Sequence, residues 1–405
     1  MGLFSRLFRR GKHRAETAAK PRLNDDRWQR RCQFEVMEAR QVMAAHPLTV
    51  GMTYLEEDAG KDLHGDTFEV QFEGGVPGTE LTRLVLNTDQ NIAGYSVGDL
   101  IFDTVHDGIG ADEAFGFKVI SSTGIDQVRA TVQDGGMQLV LEFHGFHAGE
   151  KLVFAIDVDE IQQFSLGETD LNAINEGIDP IASGVEFQGS QLTASFVAAD
   201  YFDISGNSEF RNAYDKLFYG TNLLRSDSNP NGLPNDDYLG KRDRSTGVAI
   251  SLVQQPIPVS ISGYVYQDDN DNGVRDTGES PLAGIAIRVI PVATVEPQSI
   301  ITVYTDARGF YRADGLSPGT YRLVENEQPT GFLDGKDAAG TVNGKVVGTA
   351  VNPGDQIEAI VLRGGDRGID YNFGEIAPAS IRGQVHLSSP TGDCGGPGSQ
   401  PLANV

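Results

Sequence analysis

The stretch from Asp268 to Glu279, which reads D-D-N-D-N-G-V-R-D-T-G-E, constrains this 405-residue chain more than any other segment. Oxygen-bearing side chains occupy positions one, three, five, nine and twelve, and a glycine, Gly273, occupies position six. In this register alternate side chains converge on one hard cation, and the glycine permits a sharp turn. The segment therefore predicts a calcium (Ca²⁺) site whose side-chain ligands are Asp268, Asn270, Asn272, Asp276 and Glu279.

The charge of this loop supports the calcium interpretation. Its carboxylates are balanced by a single Arg275, which leaves a net charge of −4. Without a cation these carboxylates repel one another, and a divalent ion relieves that repulsion. Asp, Asn and Gly also dominate ordinary turns, so a solvated acidic turn is the alternative. The agreement at all five ligand positions and at the glycine favours calcium.

The sequences on both sides of the loop predict β-strands. Residues 260–266 read S-I-S-G-Y-V-Y, and after the loop Ile285, Ile287 and Val289 occupy alternate positions. Period-two alternation of β-branched and aromatic residues is typical of strands. An EF-hand would instead place an amphipathic helix after the loop. We therefore expect the ion to stiffen a β-domain and not to operate a helical switch.

The motifs around the loop resemble those of a known family. Residues 260–285 are followed, in order, by T-D-A-R-G-F-Y, L-S-P-G-T-Y, E-N-E-Q-P-T-G-F-L-D-G-K-D and Y-N-F-G-E. This series is similar to the B-type domain of SD-repeat (serine-aspartate repeat) proteins, the SdrD B-like domain. Such prealbumin-like β-sandwiches occur in bacterial surface adhesins and are related to collagen-adhesin B-type repeats. The resemblance implies a rigid, calcium-bound stalk module over residues 256–378, with the loop residues as ligands.

Some members of this family carry an internal Lys–Asn isopeptide bond that a glutamate promotes. Glu325 and Asn372 lie in comparable motifs, but residues 260–267, which form the first predicted strand, contain no lysine. We therefore expect the cross-link to be absent. Lys336 and Lys345 are the next candidates if a cross-link forms.

A second copy of the module begins 120 residues after the first. S-I-R-G-Q-V-H starts at Ser380 and repeats the motif at Ser260, while P-L-A-N-V starts at Pro401 and repeats the motif at Pro281. We expect residues 379–405 to be the truncated start of a further repeat in a longer array. Its loop should not bind calcium, because the five ligand positions hold Ser388, Pro390, Gly392, Gly396 and Ser399.

Charge is distributed unevenly along the chain. Residues 1–31 carry a net charge of +7, so the remainder carries −32 of the total of −25. An acidic body repels the phosphate backbone, which argues against nucleic acid as a partner. It suits an exterior that contains calcium, where divalent ions screen carboxylates. The two cysteines, Cys32 and Cys394, provide neither a disulfide framework nor a cysteine metal site.

Residues 1–46 predict a basic, disordered leader. No apolar run in them is long enough for a signal-peptide core or a transmembrane helix. The segment F-E-V-M-E-A-R-Q-V-M-A-A at residues 34–45 resembles a leader motif of planctomycete surface proteins, with Met37 and Met43 in place of leucines. An amphipathic first helix after a basic tail is the alternative.

Residues 47–255 predict an N-terminal β-sandwich or jelly roll. Seven short segments show strand patterns and are separated by turn residues; they are residues 48–55, 66–72, 82–87, 128–132, 137–143, 151–158 and 192–197. One short helix is predicted over Ser208–Phe218 from an i, i+4, i+7, i+8 apolar stripe. A long polar loop, Ser226–Arg244, follows it, and we expect the functional contacts there.

Signals of enzymatic activity in this unit are weak. The segment G-Y-S-V-G at 94–98 fits a nucleophile elbow, but a strand-like sequence follows it where a helix is needed. His144 and His147 are three residues apart on a predicted strand, so their side chains point to opposite faces. The acidic patch 157–160, D-V-D-E, could bind a second calcium, although a solvated strand edge is the favoured interpretation.

The sequence thus predicts an all-β, multidomain, non-enzymatic protein that is secreted and associated with the cell surface. A calcium-stiffened B-type module would present the N-terminal sandwich to extracellular matrix, cell-wall or other surface material. The alternative is an extracellular hydrolase or a carbohydrate-binding component with its site in residues 47–255. A catalytic triad or a cleft with paired carboxylates would favour that alternative, and neither is visible in the sequence.

Overall fold

The computed structural model describes residues 46–56, 64–90, 94–111, 113–181, 184–212, 245–387 and 400–403. Within these residues the chain is all-β, as the sequence predicts, apart from one five-residue helix, α1 (Leu171–Asn175), which the sequence pattern did not predict. No helix in the described ranges is long and apolar enough to span a membrane.

The N-terminal sandwich contains thirteen strands. Their bounds are β1 His46–Leu55, β2 Asp66–Gly74, β3 Glu80–Asn87, β4 Leu100–Asp103, β5 Lys118–Thr123, β6 Gln127–Thr131, β7 Gln138–His144, β8 Lys151–Ile161, β9 Ile178–Pro180, β10 Gln191–Val197, β11 Ile204–Glu209, β12 Arg211–Asn212 and β13 Ser245–Gln254. All seven segments predicted as strands coincide with strands of this list.

Two sheets form this sandwich. One runs β12-β13-β1-β2-β8-β4, with β5 and β9 also paired to β8, and the other runs β11-β10-β3-β7-β6. Their inner faces enclose a core rich in aromatic side chains. In this core the ring centroids of Phe68 and Phe154 stack 4.9 Å apart, and those of Tyr54 and Phe187 stack 4.3 Å apart. Because residues alternate along each strand, the other side chains of each sheet point away from this core.

The helix predicted over Ser208–Phe218 is wrong at its first residues. Ser208 and Glu209 end β11, which pairs with β10. Phe210 is fully buried, and its ring centroid lies 4.9 Å from that of Phe187. β10 satisfies the backbone hydrogen bonds of this segment by pairing with it, so sheet pairing overrides the local helical periodicity. Residues 213–218 and the loop 226–244 lie outside the described residues.

The second sandwich contains the next twelve strands, β14 to β25. Their bounds are β14 Val259–Gln267, β15 Ala286–Thr294, β16 Ile301–Tyr304, β17 Phe310–Leu316, β18 Gly319–Glu325, β19 Leu333–Asp334, β20 Thr341–Val342, β21 Lys345–Val346, β22 Thr349–Val351, β23 Gln356–Leu362, β24 Arg367–Gly368 and β25 Phe373–Ile376. One sheet runs β17-β14-β25-β19 with β24 on β14, and the other runs β16-β15-β18-β23-β22. A small hairpin follows, formed by β26 (His386–Leu387) and β27 (Gln400–Pro401).

Polar contacts connect the two sandwiches. The Tyr201 hydroxyl donates a 2.8 Å hydrogen bond to Glu296 Oε1, and Glu296 is 1% exposed. Asp200 accepts from Gly364 N at 2.8 Å and from Arg363 Nη1 at 3.0 Å. The connection between the two sandwiches therefore rests on specific side chains as well as on the chain that links β13 to β14.

Candidate metal centre

The predicted calcium loop joins β14 to β15, as the strand patterns on its two sides predict. Asp268, its first residue, is 1% exposed, and its backbone N–H donates a 2.8 Å hydrogen bond to the Glu375 carbonyl on β25. Arg275 lies 4.0 Å over the ring of Tyr264 on β14. These contacts fix both the start and the middle of the loop against the sheet that contains β14 and β25.

The Asp268 carboxylate organises the first half of the loop. Its Oδ1 accepts backbone hydrogen bonds from Asn270 at 3.3 Å and Asn272 at 3.2 Å, and its Oδ2 accepts from Gly273 at 2.7 Å. Gly273 has a φ of 73°, a left-handed conformation that glycine adopts without strain. A Cβ there would lie 3.2 Å from the Cβ of Lys336, so both conformation and space favour glycine.

The other predicted ligands are linked in the second half. Asp276 Oδ2 accepts from the side-chain amides of Asn270 at 3.1 Å and Asn272 at 2.9 Å. Glu279 Oε2 accepts from the Asp276 backbone N–H at 2.7 Å, and its Oε1 accepts from the Asp269 backbone at 3.2 Å. The structure thus brings all five predicted ligand residues into one hydrogen-bonded loop.

The donor set of the loop fits a calcium ion. Carboxylate and amide oxygens are hard ligands, and calcium accepts six to eight of them in flexible geometry. In the described residues no three His, Cys, Asp or Glu side chains are already gathered closely enough to hold a metal. To bind calcium here, the amides of Asn270 and Asn272 would turn their oxygens, now facing backbone N–H groups, towards the ion.

Lys336 lies against the loop and not beside Asn372. Its Nζ donates to the carbonyl oxygen of Asp271 at 2.5 Å and lies 3.6 Å from the Asp271 carboxylate. The side-chain oxygen of Asn372 accepts a 2.9 Å hydrogen bond from the Tyr264 backbone. The absence of the isopeptide bond stays a prediction, and Lys336 has a partner of its own.

A buried group of carboxylates in the same sandwich was missed by sequence reasoning. Glu325, at the end of β18, is 3% exposed, and neither of its carboxylate oxygens accepts a hydrogen bond. Glu375 on β25 is 1% exposed and accepts a hydrogen bond from the side-chain amide of Gln328. Asp337, which is 6% exposed, completes what we call the carboxylate cluster: Glu325, Asp337 and Glu375.

Burial changes the acidity of this cluster. It raises the pKa of Glu325 to about 10, and the neighbouring carboxylates of Glu375, Asp355 and Asp337 add to the effect. Burial, followed by the charge of Asp334, raises the pKa of Asp337 to about 8. The sequence signals were an acidic residue at the end of an apolar strand, in Y-R-L-V-E and in Y-N-F-G-E, and the family motif that contains Glu325.

The enzymatic signals of the N-terminal sandwich do not assemble. The Ser96 hydroxyl donates to Asp99 at 2.7 Å, and the strand β4, not a helix, follows this turn. His144 lies 3.4 Å from Asp126, whereas His147 contacts the Thr79 carbonyl oxygen at 3.0 Å. The two histidines therefore serve separate turns.

The interpretation of the acidic patch 157–160 as a solvated edge is wrong. This segment lies within β8, which pairs with β4 and β9 there, and Asp157 and Asp159 are 1% and 0% exposed. Burial, with the charges of Glu186 and Asp179, raises the pKa of Glu160 to about 7. The patch was misplaced because the covering segments come from distant parts of the chain.

The predicted leader (1–46), except His46, and the second loop lie outside the described residues. The cysteines Cys32 and Cys394 lie there too.

Comparison with known proteins places the second sandwich. The sequence profile of the SdrD B-like domain matches residues 259–390. Serine-aspartate repeat-containing protein E of Staphylococcus aureus is 30% identical over 115 residues, which cover 28% of this chain and 9% of that protein. Serine-aspartate repeat-containing protein D of the same species is 34% identical over 73 residues, or 18% of this chain and 5% of that protein.

The solved structures that align with this chain are more distant in sequence. The major pilin subunit BcpA of Bacillus cereus aligns over 81% of this chain and 71% of its own at 9% identity, with a TM-score of 0.22. The major pilin SpaD of Corynebacterium diphtheriae aligns over 82% and 66% at 12% identity, with a TM-score of 0.21. At such scores the whole chains do not superimpose, so these similarities carry no argument about function.

The loop with its twelve-residue register, the two packed sheets around it and the matching profile agree with one another. Residues 259–390 of this chain are an SdrD B-like domain.

Proposed function

We propose that this chain belongs to a structural or adhesive protein of the cell surface. In it, calcium stiffens the SdrD B-like module, which acts as a spacer that presents the N-terminal sandwich. The observation that carries the proposal is the loop 268–279, in which five hard-oxygen side chains follow a calcium register and meet in one hydrogen-bonded turn. The matches span 9% and 5% of the lengths of these two relatives. The module that the relatives share with this chain supports the surface location.

A bound ion would stiffen the module because of where the loop is attached. Asp268 hydrogen bonds to β25, and the loop continues into β15 of the opposite sheet. Calcium held by Asp268 and Glu279 would therefore fix the end of β14 relative to the start of β15. The contacts of Asp200 and Glu296 would carry that stiffness to the N-terminal sandwich.

Thermal unfolding with and without calcium tests the proposal. A ligand that binds only the folded state stabilises it by about 2.7 kcal/mol at a hundredfold excess over the dissociation constant. We expect the unfolding temperature of the SdrD B-like module to fall when a chelator removes calcium. The paired substitution Asp276→Ala and Glu279→Ala should abolish that response. An unfolding curve that excess chelator leaves unchanged would refute calcium stabilisation.

The enzymatic alternative has a separate test. Purified chain should bind surface or matrix material without turning over ester, peptide or glycoside substrates. Turnover that disappears on Ser96→Ala, with the fold intact, would instead establish a hydrolase.

A further inference from the structure

Three buried aspartates lie together on the outer face of the larger sheet of the N-terminal sandwich. Asp103 on β4 is directly opposite Asp157 on β8, and Asp159 lies two residues further along β8. Opposite residues of an antiparallel pair, and residues two apart on one strand, share a face of the sheet. The exposed fractions of Asp103, Asp157 and Asp159 are 5%, 1% and 0%.

A long connection covers these aspartates. It runs from β4 to β5, and its Ala111 N–H donates to Asp159 Oδ2 at 2.8 Å. Asp134 holds the start of the connection, because its carboxylate accepts backbone hydrogen bonds from Thr104, Val105 and Ile109, each at 2.9 Å. The shape of this cover is therefore set by the hydrogen bonds to Asp134 as well as by the hydrogen bond to Asp159.

A cavity of about 330 Å³ lies between this cover and the sheet. Asp103 lines it together with Asp107, Asn175 and Asp179. The Oδ1 atom of Asp103 is sealed from solvent and accepts no hydrogen bond. A Cβ at Gly110 would lie 1.8 Å from Asp103 Oδ2, so the cover approaches the carboxylate as closely as only glycine allows.

The electrostatics of this arrangement favour a compensating positive charge beside Asp103. Like charges directly opposite on neighbouring strands are unfavourable, and a buried carboxylate oxygen without a hydrogen bond, such as Oδ1 of Asp103, loses its hydration. His106 also lines the cavity, but it is 68% exposed and lies 3.8 Å from both Asp107 and Glu113. A cation inside the cavity would reach Asp103 once that side chain turns towards it.

We infer that this cavity is a second divalent-cation site, specific for calcium, in which Asp103 is the principal ligand and the neighbouring aspartates of β8 supply further negative charge. The carboxylates and the Asn175 amide that line the cavity offer hard oxygen donors, which calcium and magnesium prefer. Calcium accepts the irregular arrangement that two strands and a loop provide, whereas magnesium demands a near-octahedral one. Binding requires the Asp103 side chain to turn, because no three acidic side chains in the described ranges are already gathered around one point.

The cavity suits an ion better than a sugar substrate. Its lining contains no Phe, Tyr or Trp on which a sugar ring would stack. Asp157 and Asp159 are too deeply buried to reach a glycosidic bond, whereas an ion can enter without exposing them. The paired carboxylates therefore do not favour the hydrolase alternative.

Calorimetric calcium titration of the full chain tests the site once the loop is disabled by Asp276→Ala and Glu279→Ala. We expect one calcium to remain bound in this background, and magnesium at the same concentration to bind at least tenfold more weakly. Adding Asp103→Asn should weaken calcium binding at least tenfold. Adding Asp203→Asn, at an exposed aspartate of the same sandwich, should leave it unchanged.

Loss of all calcium binding on disabling the loop would overturn the inference, as would equal effects of the two aspartate substitutions. If Asp103→Asn does not fold, hydrogen exchange in the loop-disabled chain decides. Calcium should then slow amide exchange in residues 104–111 and 157–161, and unchanged exchange there would overturn the site. The loop of the SdrD B-like domain can fail its own test without affecting this result.

Discussion

The loop 268–279 and the cavity around Asp103 place acidic side chains together in opposite ways. The loop contains all its donors within twelve consecutive residues, and local backbone hydrogen bonds hold them. The cavity combines Asp103 with Asp157, which lies on another strand and meets it only through β4–β8 pairing. A site whose donors lie in one segment can be recognised from their sequence spacing alone. A site whose donors lie on different strands becomes visible only when the pairing register of those strands is known.

The two sites should also differ in how they respond to calcium. The loop contains no strand, and besides a few contacts to β14, β25 and Lys336 it is held by hydrogen bonds among its own polar groups, so an ion would add much of its order. The aspartates of β8 lie in a strand that pairs on both sides, and their positions are fixed without an ion. Calcium should therefore change the stability of the SdrD B-like domain more than that of the N-terminal sandwich.

The largest expected effect comes from breaking the sheet beneath the cavity. Phe102 alternates with Asp103 on β4 and is fully buried in the core, so Phe102→Ala should cost about 3–5 kcal/mol of unfolding free energy. Guanidinium unfolding of the full chain would measure it. Phe202→Ala, at a side chain that is 51% exposed, is the control and should change the free energy by less than about 0.5 kcal/mol.

The comparison sharpens if Phe102→Ala weakens calcium binding at the cavity but leaves the loop unchanged. Equal weakening at both sites would show that the two are not built independently.

A smaller loss is expected at the loop. Asp268→Ala removes the acceptor of three backbone N–H groups, so it should destabilise the SdrD B-like domain by about 1–3 kcal/mol. The measurement is made in chelator, which separates this structural role from calcium binding. Asp269→Ala, at an exposed neighbour, should have almost no effect. Equal losses for the two variants would contradict the hydrogen-bonding role of Asp268.

The carboxylate cluster predicts a pH dependence of similar or smaller size. Because burial raises the folded pKa of Glu325 to about 10, the folded state holds this proton more tightly than the unfolded state does. Its contribution to stability is complete below about pH 4, near the unfolded pKa, and is lost as the pH rises towards the folded pKa. Calcium-free domain should therefore be more stable at pH 5 than at pH 8.

Glu325→Gln removes the ionisable group and so tests this dependence. The variant should be more stable than the parent by roughly 1–2 kcal/mol at pH 8, with a much smaller difference at pH 4. Urea unfolding at the two pH values measures both. A variant that is destabilised equally at pH 4 and pH 8 would show that Glu325 acts through packing and not through its charge.

The smallest effect is expected at the connection between the sandwiches. Arg363 is 75% exposed, so its 3.0 Å ion pair with Asp200 contributes about 0.2–1 kcal/mol at most. Arg363→Ala should leave calcium binding at both sites unchanged. A calcium affinity that shifts with this substitution would show that the two regions are coupled through this contact.

The sequence predicted more of the fold than of the sites. Alternating apolar residues identified seven strands of the N-terminal sandwich, because that pattern reflects one buried face per strand. The helix over Ser208–Phe218 was wrong at its first residues, because Ser208 and Glu209 pair with β10 and Phe210 is buried in the core. Periodicity in one short segment does not show which neighbouring strand needs a partner.

The sites divide in the same way. The register of the loop was readable because its donors are consecutive, whereas Glu325 and Glu375 are fifty residues apart in the chain. Asp157 and Asp159 were visible as an acidic patch, but their burial depends on the cover between β4 and β5. Sequence spacing shows which donors are present and does not show which of them a sheet will bury together.

Counting bound calcium in four forms of the full chain tests the central claim most directly. The forms are the parent, the Asp276→Ala/Glu279→Ala chain, the Asp103→Asn chain and the chain with all three substitutions, each examined by equilibrium dialysis. The two-site account predicts that the loop substitutions and Asp103→Asn each remove one calcium and that together they remove two. A parent that loses no calcium on either change, or loses all of it on one, would contradict the account.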